Sequence, residues 1–284
     1  MTPLVALAVL IAAITHASWN AIAHAIKDQL LSFTLISGGG LLIGAAMALF
    51  APLPAAEAWP YLGVSALLHV AYMMLLMRSF TLGDFGQMYP IARGTAPLVV
   101  TVLAAVFVGE RPDAWATAGV AVASAGLVGL ALWGIRGSGT RPHWPAIVAA
   151  LGTGLAIAGY TTVDGVGVRA SGTPLGYVAW LMILEGLAIP AYAFYRRRSE
   201  LVTQLRPFAV RGLLGAALSV VAYGLVLWAQ TRAPLAPIAA LRESSIIVGA
   251  AIGTLFFKER FGAPRIAAAG LMVVGIGLML HTTS

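Results

Sequence analysis

The chain contains no cysteine, so it has no disulfide framework and no thiolate metal site, and cysteine usage gives no redox compartment. Charge is almost as scarce. Only 10% of the 284 residues are Asp, Glu, Lys or Arg, against about a quarter in a soluble domain, and 60% are hydrophobic. A chain so composed finds most of its solvent in lipid. No HExxH or DxxD cluster occurs, and Asp113, Asp164 and Glu200 are scattered, which argues against a polytopic membrane enzyme. No Lys or Arg precedes the apolar run that starts at Pro3, so this run reads as a membrane helix and not as a cleaved signal. The net charge of +7 does not point to nucleic acid, because the charges stand singly in short connections between apolar runs.

What the chain does have is a series of apolar runs of about 20 residues, the length that crosses a bilayer as a helix. They cover 3–25, 30–51, 59–79, 87–108, 113–134, 144–165, 174–195, 210–230, 235–257 and 263–281. Helix breakers such as Pro52, Pro54, Gly137-Ser138-Gly139 and Ser171-Gly172-Thr173-Pro174 mark most junctions. Alternating ten-residue segments are missing, which excludes a barrel. The expectation is an all-α integral membrane protein of ten transmembrane helices. Gly40 with Gly44, Gly126 with Gly129 and Gly275 with Gly277 predict close helix contacts.

The second half repeats the first. At a constant offset of 149 residues Arg93 falls on Arg242, Glu110 on Glu259, Arg111 on Arg260 and Gly126 on Gly275. The spacing predicts five-helix units at 1–140 and 141–284. Odd-numbered connections hold Lys27, Arg78, Arg136, Arg141, five arginines between Arg196 and Arg211, Lys258, Arg260 and Arg265, twelve cations in all. Even-numbered ones hold Arg111, Arg169 and Arg232. The positive-inside rule then puts both termini outside. Five helices per half is an odd number, so the halves run in opposite senses, and inverted repeats of this kind mark secondary transporters.

Gly109-Glu110-Arg111 followed by Gly119 and Gly126, and Lys258-Glu259-Arg260 followed by Gly270 and Gly275, resemble the paired motifs of the drug/metabolite transporter superfamily, in particular its EamA-type ten-helix exporters. The opening helix, with His16-Ala17-Ser18-Trp19-Asn20, looks similar too. The resemblance covers nearly the whole chain. It implies a metabolite exporter in the inner membrane of a bacterium, with the second and seventh helices at the periphery. The superfamily's small multidrug members use a carboxylate in the first helix, whereas this first helix has no Asp or Glu, so His16 becomes the first candidate for any proton coupling. Glu110 and Glu259, just ahead of the fifth and tenth helices, are expected to meet the positive ends of those helix dipoles.

Ionisable residues at membrane depth are functional candidates by default. His16, Asn20 and His24 share one face of the first helix at i, i+4, i+8 spacing, with Trp19 beside them. His69, Tyr72 and Met73 share a face of the third. In the fourth, Gln87, Tyr89 and Arg93 surround Pro90, and the ninth repeats the arrangement with Arg242, Glu243, Ser244 and Ser245. Either the arginines serve a cavity or they pair with other helices and hold the bundle. Tyr160, Tyr223 and Trp228 complete the expected substrate-binding set of His16, Trp19, Asn20, His69, Tyr72, Tyr89, Arg93, Tyr160, Tyr223, Trp228, Arg242 and Glu243. Asp164, near a span end, reads as a solvated carboxylate, while Glu185 is deeper but on a helix expected at the periphery.

The partners implied are a small-molecule substrate and the lipid bilayer, with no nucleic acid, no cofactor and no metal. Arginine and glutamate together at depth suit a zwitterion, so an amino acid or related metabolite leads. A sugar-phosphate or other organic-anion exchanger is the rival, a membrane enzyme the more distant one. The duplication is compatible with a functional monomer.

Overall fold

The computed structural model describes residues 1–82, 85–137, 143–248 and 263–281. In hydrocarbon a backbone must satisfy its own polar groups, and an apolar run without alternation does so only as a helix. Accordingly, no strand occurs among the described residues. The helices are α1 (Pro3–His24), α2 (Gln29–Ala48), α3 (Trp59–Leu82), α4 (Phe85–Leu103), α5 (Ala114–Gly137), α6 (Trp144–Ala170), α7 (Pro174–Gly186), α8 (Ala188–Arg197), α9 (Glu200–Leu205), α10 (Ala209–Gln230), α11 (Leu235–Arg242) and α12 (Ala263–Leu280). Seven helical stretches among the described residues are long and apolar enough to cross a membrane. Shorter apolar stretches lie in α5 (Ala114–Leu130) and α12 (Ile266–Met279).

Side-chain caps set several helix starts. Asp28 Oδ1 accepts from Leu31 N at 3.2 Å to start α2, and Asp113 Oδ1 from Ala116 N at 2.7 Å to start α5. Thr173 Oγ1 accepts from Gly176 N at 3.1 Å to start α7. At its other end α4 widens into a π-helical turn over Ala104–Val108, closed by Gly109 at φ 72°, a left-handed conformation that glycine adopts without a Cβ penalty.

Two of the expected spans are not straight helices. The span at 174–195 divides at Leu187 into α7 and α8. Pro190 explains the bend, since it has no N–H to offer the Gly186 carbonyl four residues back. The span at 235–257 stops at Arg242. There Glu243 N bonds Ala240 O and Ser244 N bonds Leu241 O, both at 3.1 Å and both three residues back, before helix resumes at 245. Residues 249–262, with Lys258-Glu259-Arg260, lie outside the described residues.

Packing follows from small residues. α3 and α4 lie on α6, α10 and α11 on α1, α2 on α7, and α5 on α12. A Cβ on Gly119 would stand 2.5 Å from Gly275 O, and one on Gly275 would stand 2.6 Å from Gly119 O, so α5 and α12 touch through bare backbone. A Cβ on Gly126 would stand 3.1 Å from Ala268 O in the same seam, and one on Gly44 would stand 2.7 Å from Ala179 O between α2 and α7. Gly129 and Gly277, expected to share such contacts, would each accept a Cβ with nothing within 4 Å of it. Helical register turns them off the seam that Gly126 and Gly275 occupy. Polarity runs inside out: Leu7 is 55% and Leu67 72% exposed, while Arg93 is 2% exposed.

Charged groups bind the connections at each end of the bundle. Arg169, at the end of α6, pairs with Glu110 Oε1 at 2.7 Å and donates to Gln230 O at 2.8 Å and Ala233 O at 3.0 Å. Glu110 Oε2 in turn accepts from Leu235 N at 2.6 Å. Glu110 therefore caps α11, not α5, because Asp113 already caps α5 and the left-handed Gly109 turns the chain before it. Elsewhere Arg197 reaches Asp28 Oδ2 at 2.6 Å.

Replacing Gly275 with Leu should overpack the α5–α12 seam and lower stability by about 1–3 kcal/mol. The thermal midpoint of purified protein in detergent would show this, and Gly129→Leu should leave it near that of the wild type.

Candidate functional site

The first interior cluster is built on Arg93. Its Nε donates to Glu243 Oε2 at 2.7 Å and its Nη2 to Ser245 Oγ at 3.2 Å, joining α4 to the interruption after α11. Side-chain exposures of 2% for Arg93 and 1% for Glu243 put the pair wholly inside. His16 Nε2 lies 3.3 Å from Arg93 Nη1, while His16 Nδ1 faces Trp19 Nε1 at 3.2 Å. Both neighbours only donate, and a neutral imidazole has one lone pair to offer, so it accepts from one of them at a time. Asn20 donates to its own helix, at His16 O, at 2.9 Å.

Arg242 is the sequence counterpart of Arg93, yet its surroundings differ. It is 3% exposed, and its Nε and Nη2 have no hydrogen-bond partner among the described residues. The repeat explains why. Glu243 follows Arg242 and pairs with Arg93; the position following Arg93 is Gly94. A Cβ on Gly94 would sit 2.7 Å from Leu127 Cβ, so the approach of α4 to α5 leaves no space there for a reciprocal carboxylate. Among the described residues, Arg93 has an ion-pair partner, and Arg242 Nε and Nη2 have none.

A second cluster faces the same region. Asp164 Oδ1 accepts from Tyr177 OH at 2.8 Å and Oδ2 accepts from Tyr223 OH, while Ser65 Oγ lies 3.2 Å from His69 Nδ1. His69 Nδ1 lies 3.0 Å from Ser65 O and 3.5 Å from Glu185 Oε2. A carbonyl only accepts, so Nδ1 carries a hydrogen directed at Ser65 O. The His69 ring stacks on Tyr160 with centroids 3.9 Å apart, and Tyr223 meets it edge-on at 5.3 Å. Tyr72 meets Tyr160 edge-on at 5.6 Å. Arg242 is carried by α11, which packs on α1, α4, α6 and α10, the helices that hold His16, Arg93, Tyr160 and Tyr223.

Of the residues singled out from sequence, His16, Arg93 and Glu243 meet in the first cluster, and His69, Tyr72, Tyr160 and Tyr223 in the second, with Arg242 on a helix packed against the helices of both. Trp19 is 4% exposed and packs with Ala23, Ile36 and Ala222 between α1, α2 and α10. Trp228 stands apart: it packs among α1 residues, and Arg232 lies over its ring at 4.2 Å. Five residues separate it from Tyr223, which turns it about 140° around α10 at roughly 100° per residue. The side chains of His24, Gln87 and Tyr89 lie outside the described residues. Asp164 is 0% exposed and fully bonded, not solvated; α6 continues to Ala170, well beyond the expected end at 165, and carries it inside. Glu185 likewise points inward, toward His69, in spite of its place on a flanking helix. Tyr177 and Ser65 were not legible as site residues, since a lone hydroxyl in an apolar run carries no spacing signal.

A bundle of apolar helices with a few charges buried among them is an integral membrane protein. Residues 144–281, from α6 through α12, match the model of the EamA-like transporter family, part of the drug/metabolite transporter superfamily. One solved structure, described only as the crystal structure of a protein, is similar over 99% of this chain and 97% of that chain, with a TM-score of 0.68 at 17% identity. That likeness concerns the fold. No curated protein matches.

The Arg93–Glu243 pair is structural on this geometry. Arg93→Met alone should destabilise by about 3–5 kcal/mol by stranding a buried carboxylate, and adding Glu243→Leu should recover much of that. Thermal unfolding of the single and double variants in detergent measures both.

Proposed function

We propose that the protein is a secondary transporter that moves a small amino-acid-like metabolite across the membrane by alternating access between two inverted five-helix halves. The observation that carries the substrate reading is the buried guanidinium of Arg242, whose Nε and Nη2 have no partner among the described residues. A desolvated cation strongly favours an anion that fits its planar fork, and a carboxylate does so with two parallel hydrogen bonds. Phosphate would gain from a second free cation, but Arg93 is committed to Glu243. This favours a carboxylate over the sugar-phosphate reading.

Several features support two related halves. α1 lies on α10 as α6 lies on α3, and these contacts exchange when first and second halves are swapped. In the α5–α12 seam, Gly119 meets Gly275 and Gly126 meets Ala268; adding 149 to 119 gives 268 and to 126 gives 275, so each contact maps onto the other. The family match begins at residue 144, close to the expected boundary at 140. Ten helices follow if residues 235–257 complete the ninth. The Arg169–Glu110 network joins three even-numbered connections, and Arg197–Asp28 joins two odd-numbered ones, as spans that alternate in direction require. Opening of the even-numbered face would have to break the Arg169–Glu110 pair. Export from a bacterial cytoplasm, with both termini outside, is the direction and orientation that family and loop charges favour.

Counterflow in proteoliposomes tests the reading: liposomes preloaded with one unlabelled amino acid or sugar phosphate should take up the labelled compound saturably for amino acids only. Arg242→Ala should abolish this uptake while folded yield stays near normal, and Arg242→Lys should retain part of it. Exchange of phosphorylated compounds alone, or normal uptake by Arg242→Ala, would overturn the substrate assignment.

A further inference from the structure

We infer that Glu185 is the ammonium-binding residue of the transport site, so that a bound amino acid lies with its carboxylate at Arg242 and its amine at Glu185. The inference deepens the preceding reading and rests on it for the carboxylate end only. Glu185 Oε2 is buried and has no hydrogen-bond partner. His69 Nδ1, 3.5 Å away, directs its hydrogen to Ser65 O at 3.0 Å. No Lys or Arg among the described residues pairs with it. Asp164, the other carboxylate of this cluster, has both oxygens engaged by tyrosine hydroxyls. Between the two carboxyl groups, Glu185 is therefore the one with a free acceptor.

The surroundings are those that recognise an organic cation. His69, Tyr160 and Tyr223 form a contiguous set of rings beside Glu185, with His69 stacked on Tyr160 and Tyr223 edge-on to both. Aromatic faces attract an ammonium through their quadrupoles, and a desolvated carboxylate oxygen accepts a charge-assisted hydrogen bond from it. α11, which carries Arg242, packs on α6 and α10, which carry Tyr160 and Tyr223, so the two charged groups flank the same pair of helices. Both charged ends also sit at helix irregularities: Glu185 two residues before the bend at Leu187, Arg242 at the last turn of α11. Interrupted helices at such positions mark substrate sites in transporters.

The test uses purified full-length protein in detergent and the amino acid exchanged most strongly from a panel of the twenty. Binding of that amino acid is compared with its decarboxylated amine and its α-hydroxy acid, in the wild type, Glu185→Gln and Arg242→Gln. The wild type should prefer the amino acid over the hydroxy acid by about tenfold to a hundredfold, the value of one hydrogen bond to a charged group. Glu185→Gln should bring that ratio toward one while hydroxy-acid affinity holds; a structural role would weaken both ligands alike, which overturns the inference. Wild type that binds both equally overturns it without any variant, and so does silence across the panel. If Glu185→Gln does not fold, Glu185→Asp should keep a reduced preference for the amine-bearing ligand, and an unchanged preference would count against the assignment. Arg242→Gln that binds the hydroxy acid normally would remove the carboxylate reading and leave the Glu185 result standing.

Discussion

Everything in this molecule follows from the cost of charge in hydrocarbon. An ion taken out of water costs several kcal/mol even after relaxation, so each interior charge needs a partner. Arg93 has Glu243, Asp164 has two tyrosines, and these bonds hold α4 to the α11 interruption and α6 to α7 and α10. Among the described residues, Arg242 and Glu185 keep buried atoms without a hydrogen-bond partner, as does the second oxygen of Glu243.

The asymmetry between Arg93 and Arg242 is a packing result. Two repeats with equivalent arginines could have carried two equivalent ion pairs, closing both halves and leaving no free cation. Gly94 prevents this by letting Leu127 come so close that no side chain fits. The residue that denies Arg242 a reciprocal carboxylate is thus a glycine on another helix. The glycine seam of α5 and α12 is tight, whereas the backbone near Glu185 and Arg242 is irregular.

Sequence reading located the helices well because lipid leaves few choices. Helix starts at Pro3, Gln29, Trp59, Trp144 and Pro174 fall within a residue of those expected from breakers and hydropathy. It did less well where helices bend. Pro190 lies in the span read as straight, and nothing in the Arg242-Glu243-Ser244-Ser245 run signals that α11 ends there. It grouped His69 with Tyr72 and singled out Arg93, Tyr160 and Tyr223, since polar groups in apolar runs are conspicuous. It left the two arginines equivalent, because pairing is a relation across helices that spacing within one helix does not contain.

Composition and periodicity by themselves determined that this is a helical membrane protein and where most of its described helices begin, because hydropathy and helical pitch are local properties of the chain. Which carboxylate meets which arginine, that Asp164 is buried and Glu185 turned inward, and that Trp228 points away from the rings were decided by tertiary structure alone. These depend on how close two helices approach, and that distance is set by contacts such as Gly94 on Leu127 between residues far from the charges themselves.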